Sequence, residues 1–457
     1  MEKNVEFSVR KYAAVVAVLI VLVMTVLDVT VVNVALPVMA ADMGVSSSSS
    51  VWVITIYQLV ITMLLLPVSS FGDLHSYRRS FLVGVTVFTI GSIMCAASGS
   101  FAMIVLSRAI QGLGAACVMG VNIALTRLIY PREVLGRGLA LNAMVIAIAT
   151  AAGPTIAGFI LSIASWHWLF LINIPFGVLA FIVGYRLLPQ NPPHPNKPKF
   201  DFISAIENMV VFGLIFYALG TFTRSGDMVT AAVMLIAGLV VGFFYIRRQM
   251  GHPEPLLPLD LFHIRTYTLS IFTSVCSFIA QNLAMIALPF LFLDSFGFSA
   301  ITTGLLMTPW PLATMIISPL AARFVERHDG GTTAAVGMAV YAIGVVLLIT
   351  LPGAGVSEWN VAWRMAVCGI GFGMFQTPNN IVMVTSTPLH RTGGAGGMQS
   401  TARLVGQTLG ATFVTIVFAL AVGTGTAVDV CLYIAIAFAV IAGIFSISRR
   451  GARPVNG

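Results

Sequence analysis

Charge is what this chain has least of. Only 9% of its 457 residues are Asp, Glu, Lys or Arg, against about 25% in an ordinary soluble domain. With 58% hydrophobic residues and a mean hydropathy of +0.97, a water-soluble globule is excluded and a polytopic membrane chain is indicated. Acids are scarcer than bases, 16 against 24, which leaves a formal charge of +8. That excess makes no nucleic-acid surface, because the basic residues are spread thinly through short loops. Cysteine is sparse too. Cys95, Cys117, Cys276, Cys368 and Cys431 all lie inside apolar runs and none has metal-ligand spacing, so no metal site is expected. HExxH, GxSxG and Walker A sequences are absent, which leaves an intramembrane enzyme or an ATP-driven pump without its signature.

What the chain does have is long apolar runs. A spanning helix needs about 20 mostly apolar residues. Fourteen runs qualify: 12–38, 51–71, 80–98, 101–126, 137–162, 168–188, 202–222, 228–248, 267–293, 301–323, 332–351, 360–386, 396–423 and 427–448. The reading is an all-α membrane protein with 14 transmembrane helices. The first run is longer than a signal-peptide core and reads as an uncleaved helix. An even number of spans puts both termini on one side. Twenty Lys and Arg residues then share that side, including Lys3, Arg10, Lys11, Arg132, Lys197, Lys199, Arg391, Arg449, Arg450 and Arg453, and Arg224 alone faces the other. Basic loops stay in the cytoplasm, so both termini are expected there. The linkers 189–199 and 251–265 bracket the seventh and eighth spans. This suggests an N-terminal six-helix bundle over 1–190, two additional helices within 191–262, and a C-terminal six-helix bundle over 263–457.

The two bundles carry a repeat. At an offset of 257 residues, Gly112 meets Gly369, Gly114 meets Gly371, Asn122 meets Asn379, Pro131 meets Pro388, Gly136 meets Gly393 and Gly153 meets Gly410. Leu36-Pro37 is echoed by Leu288-Pro289. Six matches without a gap, among them a Pro and an Asn, indicate pseudo-symmetric halves.

Against this background two intramembrane charges stand out. Asp28 lies near the middle of the first span, where a carboxylate costs roughly 2.5–3.5 kcal/mol on insertion scales. Arg108 lies about two turns into the fourth span, within reach of it. Either residue alone would be an uncompensated buried charge. Together they form either a permanent structural pair or a proton-coupling device, in which protonation of Asp28 frees Arg108. Gln111 and Asn122 make the same face of the fourth span polar. In the second span Trp52, Thr55, Gln58 and Thr62 form a stripe that faces protein or water, as cavity lining or as interhelical hydrogen bonding; Tyr57 points off it. Asn33 joins the candidates from span one. The second half adds Gln281, Asn282, Met285 and Phe290 in span nine, Trp310 in span ten, and Phe375, Gln376 and Asn379 in span twelve. Aromatic and methionine side chains beside amides suit amphipathic cations, and they are also ordinary packing. Glu207, two turns into span seven, reads as a snorkelling carboxylate or a second proton site.

Four stretches now carry a resemblance. They are Asp28 with Thr30, Asn33, Ala35, Leu36 and Pro37; Arg108 to Ala115 with Gln111, Gly112 and Gly114; Gly153-Pro154 with Gly158; and Trp166-His167-Trp168 with Asn173, Pro175 and Gly177. In these the chain resembles the fourteen-helix drug:proton antiporter branch of the major facilitator superfamily. It departs from the pattern at Ala149, Ala157 and His167. The loop after span two keeps Asp73 and a final basic residue but lacks two glycines and two bases. The resemblance implies gating roles for Asp73 with Arg78, for the Gly153-Pro154 antiporter motif and for Arg403. It also implies proton-coupled export of amphipathic, cationic small molecules by alternating access. Such a protein would be a monomer in a bacterial inner membrane, with no cofactor, driven by the proton gradient, its partners being substrate, protons and lipid. An exporter of one native metabolite (a siderophore, fatty acid or amino acid) fits the same residues. A non-transporting sensor would need a signalling domain, for which the short loops leave no room.

Overall fold

A computed structural model describes residues 9–131, 135–191, 200–221, 228–251, 255–327, 329–352, 355–387 and 392–449. Of the residues used above for orientation, Lys3, Arg132, Lys197, Lys199, Arg224, Arg391, Arg450 and Arg453 lie outside these stretches, as does Pro388 of the repeat. Among the described residues every element is helical and none is a strand. The N-terminal group holds α1 (Val9–Asp42), a single turn α2 (Ser47–Ser50), α3 (Trp52–Leu74), α4 (Tyr77–Ala96), α5 (Phe101–Ile129), α6 (Leu135–Ile163), a short α7 (Trp168–Leu171) and α8 (Asn173–Leu187). A pair follows, α9 (Phe202–Thr221) and α10 (Met228–Met250). The C-terminal group holds α11 (Arg265–Phe290), α12 (Ala300–Met307), α13 (Pro309–Arg327), α14 (Gly330–Ile349), α15 (Glu358–Thr385), α16 (Thr392–Leu420) and α17 (Thr424–Ile447).

Local chemistry sets the helix starts. Ser76, Ser100, Ser299, Asp329 and Ser357 each accept a hydrogen bond from the backbone three residues on, at the heads of α4, α5, α12, α14 and α15. The serine run after α1 forms the turn α2, capped by Ser46. The expected span over 301–323 is broken into α12 and α13 at Thr308, ahead of Pro309 and Pro311.

Among the described residues, thirteen of the fourteen expected spans qualify by length and hydropathy to cross a membrane. The stretch expected as the twelfth span does form one unbroken helix, α15, of 28 residues. Arg364, Gln376, Asn379 and Asn380 make it too polar to qualify on hydropathy alone.

The repeat is visible in the packing. A Cβ on Gly112 would lie 2.9 Å from the Tyr57 carbonyl oxygen, and one on Gly369 would lie 2.1 Å from that of Trp310. Gly114 is pressed on Gly84 and Phe88, and Gly371 on Gly337 and Tyr341. Each glycine pair is 257 residues apart and each partner pair 253, so α3, α4 and α5 meet as α13, α14 and α15 do. Gly153 against Thr30 and Gly410 against Asn282 extend the correspondence to α1 and α11.

The two groups join unequally along their length. At the end of the bundle away from where α1 begins, one apolar core unites Val31 to Met39 of α1 and Val51 to Ile54 with Leu283, Leu288, Phe290 and Phe292 of the C-terminal group. At the end where α1 begins, the apolar residues fall into separate cores. One is built on Val18, Phe81, Val121 and Leu125, the other on Leu261, Tyr267, Met383 and Ala395. A cavity of about 340 Å³ opens there between Leu65, Asp73, Tyr77, Met119 and Arg127 on one wall and Gly397 and Ser400 on the other.

The close approaches give a stability test. Gly371→Ala should lower the melting temperature of the detergent-purified protein, because its Cβ would meet backbone atoms of Tyr341 at 2.2 Å. Gly396→Ala, with nothing within 4 Å, should leave it unchanged.

Candidate functional site

Asp28 and Arg108 are together, and both are wholly buried. Helix α1 brings the carboxylate and α5 the guanidinium, whose Nη1 donates to Asp28 Oδ2. The other carboxylate oxygen takes neutral donors. Gln111 Nε2 donates to Oδ1 at 2.8 Å, and Asn173 Nδ2 of α8 reaches the same oxygen at 3.4 Å. Gln111 also takes a bond from Arg108 Nη1 at 2.6 Å and donates to Ser92 Oγ at 2.9 Å. Arg108 Nε donates to the Val53 carbonyl at 3.0 Å, and its guanidinium carbon lies 4.1 Å from the Tyr57 ring centroid and 5.7 Å from that of Phe170. The cation is thus held by an acid, an amide, a carbonyl and aromatic faces. Asp28 and Asn173 also form the polar spot in an otherwise apolar cavity of about 410 Å³ between α1, α6 and α8.

Two of these contributors were misjudged from sequence. Tyr57 was set aside as lying off the polar stripe of α3, and it covers Arg108 from the opposite face of that helix. Asn173 was noted in a motif without a role, and Ser92 gave no signal at all. Both are single polar residues whose partners come from other helices.

The C-terminal group shows the same scaffold without the charges. By the packing offsets, Asp28 corresponds to Ala280, Arg108 to Met365, Gln111 to Cys368, Tyr57 to Trp310 and Ser92 to Val345. All five C-terminal residues are buried and apolar. Tyr341 donates to the Ala280 carbonyl at 2.9 Å, and Trp310 packs edge-on against it. Helices in this arrangement pack well with no ion pair.

The other expected residues divide. Gln58 and Thr62 tie the two groups together: Asn282 Nδ2 donates to Gln58 Oε1 at 3.5 Å and to the Gln407 carbonyl at 2.6 Å, and Thr62 pairs with Thr408 at 3.2 Å. Thr55 bonds only within its helix, to Val51. Gln281, Met285 and Gln376 are partly exposed, as cavity residues should be. Phe290, Trp310 and Phe375 lie in the core in this conformation, each almost fully buried among other aromatics. Asn379 is engaged there as well: it bonds Ser274 at 2.8 Å and accepts from Arg449 at 2.6 Å. Arg449, counted as a loop residue, is itself buried and also bonds Ser270. Several buried polar atoms have no hydrogen-bond partner among the described residues: Asn33 Oδ1, Gln58 Nε2, Asn122 Oδ1 and Trp310 Nε1.

Of the expected gating residues, Gly153 packs within the N-terminal group and Pro154 occupies the seam between groups. A Cβ on Gly153 would strike Thr30, and the Pro154 carbonyl sits against Gly304 of α12. Thr155 pairs with Thr308 across the same seam at 2.6 Å. Asp73 is hydrogen-bonded by Tyr77, with Arg127 nearby. Arg78 is not its partner: it bonds the Tyr185 carbonyl and stacks on that ring. Glu207 sits in the α9–α10 pair beside Tyr245, and its Oε2 is buried with no hydrogen-bond partner among the described residues. In the same pair Asp201 bonds Arg248 at 3.2 Å. Burial would raise the Asp201 carboxyl, but Ser204 and Arg248 hold it below its usual range.

The profile of the Major Facilitator Superfamily matches residues 18–411. The chain belongs to that superfamily. It is 47% identical over 437 residues to an uncharacterized transporter of Escherichia coli, YebQ, covering 96% of this chain and 95% of that one. Riboflavin transporter RibZ of Clostridioides difficile is 27% identical, with 85% of this chain and 84% of that one covered. Multidrug efflux pump LfrA of Mycolicibacterium smegmatis is 28% identical, over 83% and 75% of the two chains. Among solved structures, a POT family transporter in complex with a thioalcohol-conjugated peptide superposes with a TM-score of 0.72 at 16% identity, over 95% of this chain and 96% of that one. These matches establish a multi-pass membrane transporter fold.

The internal comparison yields a test of the ion pair. Arg108→Met alone should destabilise the protein by about 3–5 kcal/mol, because it strands Asp28. The double variant Asp28→Ala/Arg108→Met, which copies Ala280 and Met365, should recover most of that loss in thermal unfolding.

Proposed function

We propose that this transporter is a proton-coupled antiporter that exports amphipathic small molecules by alternating access. The observation that carries the reading is the buried Asp28–Arg108 pair, placed on a scaffold whose C-terminal copy packs without charges. A pair that the packing does not need is best explained by what it does. Protonation removes the charge from Asp28 Oδ2 and so releases Arg108 Nη1, whose other acceptors are neutral. The helices carrying these two groups then gain freedom to shift. The glycine and threonine contacts of the α6–α12 seam offer the surface along which the groups can rock. No cofactor enters; the energy comes from the proton gradient, and the working unit is read as a monomer.

In this reading the protein has fourteen spans with both termini in the cytoplasm of a bacterial inner membrane, and the cavity beside Asp73 opens to the cytoplasm. Similarity to multidrug pumps supports a broad substrate range. Similarity to a riboflavin transporter supports the narrower reading of one native metabolite. A growth-inhibition panel of dyes, quaternary ammoniums and antibiotics in an efflux-deficient host separates the two: protection against several unrelated compounds supports the first, and protection against none the second.

Asp28→Asn should abolish transport driven by an imposed pH gradient in proteoliposomes while leaving membrane insertion and folding intact. Full gradient-driven efflux by that variant would refute proton coupling at this residue.

A further inference from the structure

Arg403 is a cation that the mechanism above leaves unused. It lies eleven residues after the first residue of α16, roughly 16 Å along the helix axis. Three other arginines that are buried or half-buried in the bundle have their partners. Arg108 has Asp28, Arg364 has Asn360 and the Leu347 carbonyl, and Arg449 has Ser270 and Asn379. Arg403 has none among the described residues, and its Nε is buried with nothing to donate to. The side chain is half-buried and only Nε is sealed off, so an unpaired charge set this far along the helix is costly and its outer nitrogens stay open to a partner.

Its direction narrows the search. On α16, Gly406 and Gly410 face α11, where a Cβ would meet Val275 and Asn282. Leu404 and Thr408 face α3, through the core around Tyr57 and Ile61 and through the bond to Thr62. At 3.6 residues per turn, Arg403 falls between these two faces, toward the seam between the groups. It also continues the line of Gly397 and Ser400, six and three residues earlier, which wall the 340 Å³ cavity, and so sits one turn beyond that wall. Leu65, Leu66, Met119 and Ile123 supply apolar surface in that cavity.

No carboxylate among the described residues forms an ion pair with Arg403, Glu207 with its unbonded Oε2 included. Asp28 holds Arg108, Gln111 and Asn173; Asp73 holds Tyr77; and Glu207 lies in the α9–α10 pair. The seam therefore presents a positive charge with its balancing anion missing.

We propose that Arg403 anchors an anionic group, a carboxylate or sulfonate, on the transported molecule. The substrate class is then an amphipathic anion or zwitterion and not the simple cation that the sequence suggested. The proposal rests on the transporter reading and refines it: the apolar wall takes the body of the substrate and Arg403 its charge.

Equilibrium binding tests this without any gradient, so it stands apart from proton coupling at Asp28. The probes are a dansyl-labelled fatty acid and its quaternary-ammonium analogue, titrated against the full chain in nanodiscs, with empty nanodiscs as blank. The wild type should bind the carboxylate probe more tightly than the ammonium probe. Arg403→Gln should weaken the carboxylate probe about tenfold to a hundredfold, the loss expected for one charge-assisted hydrogen bond. Arg403→Lys should restore most of it, and the ammonium probe should bind no worse in either variant. Ser400→Asp, which leaves Arg403 in place, should repel the carboxylate probe and keeps the test open if the arginine variants do not fold. Retained carboxylate binding in Arg403→Gln, a wild-type preference for the ammonium probe, or no binding of the carboxylate probe would each overturn the proposal. Asp28→Asn should still bind the carboxylate probe, whatever its transport defect.

Discussion

A carboxylate and a guanidinium sealed in an apolar interior cannot be separated cheaply, and most of the N-terminal group is arranged around that fact. Each charge left alone would cost several kcal/mol. The surrounding helices accordingly direct every spare donor and acceptor at the pair: Gln111 and Ser92 from the side, Asn173 from α8, the Val53 carbonyl from α3. Tyr57 and Phe170 cover the guanidinium with aromatic faces in place of water. Arg108 Nη2 is left without a hydrogen-bond partner among the described residues. The cluster is therefore well satisfied at Asp28 and slightly under-satisfied at Arg108, which biases any change of state toward movement of the arginine.

The molecule contains its own control for the importance of this cluster. Duplication has produced two helix groups with the same glycine contacts, and only one carries the ion pair. In the other, Ala280, Met365, Cys368 and Trp310 fill the equivalent space as plain core. Buried pairs can often be replaced by apolar residues without loss of stability, and the C-terminal group has that solution built in. Persistence of the costlier arrangement on one side is an argument for function drawn from within the chain. The unequal join between the groups points the same way. A shared core joins the groups at one end, and separate cores with a cavity lie at the other, as the proposed rocking of the two groups requires.

Much of this was legible in the sequence, for reasons that differ by residue. Asp28 and Arg108 could be paired on paper because an intramembrane charge is rare and demands a partner. The repeat could be read from Gly112, Gly114, Gly369 and Gly371 because close helix approach admits little else. Tyr57, Ser92 and Asn173 could not, since helical spacing tells which residues share a face and not which face meets which neighbour. Phe290, Trp310 and Phe375 were ambiguous for the same reason: an aromatic side chain reads alike whether it lines a cavity or fills a core. Asn379 was drawn in as an amide beside aromatics, and the partner that claims it, Arg449, looked from sequence like a loop charge. The twelfth span fell short on hydropathy because the polar residues that interested the functional reading are the ones that lower its apolar score.

The central claim is that Asp28 exchanges a proton, and infrared difference spectroscopy of the purified protein between alkaline and acid buffer tests it most directly. A proton-exchanging Asp28 should give the carbonyl stretch of a protonated carboxyl on acidification. That band should vanish in Asp28→Asn and survive in Glu207→Gln. A band that persists in Asp28→Asn and disappears in Glu207→Gln would contradict the claim and move proton exchange to the α9–α10 pair.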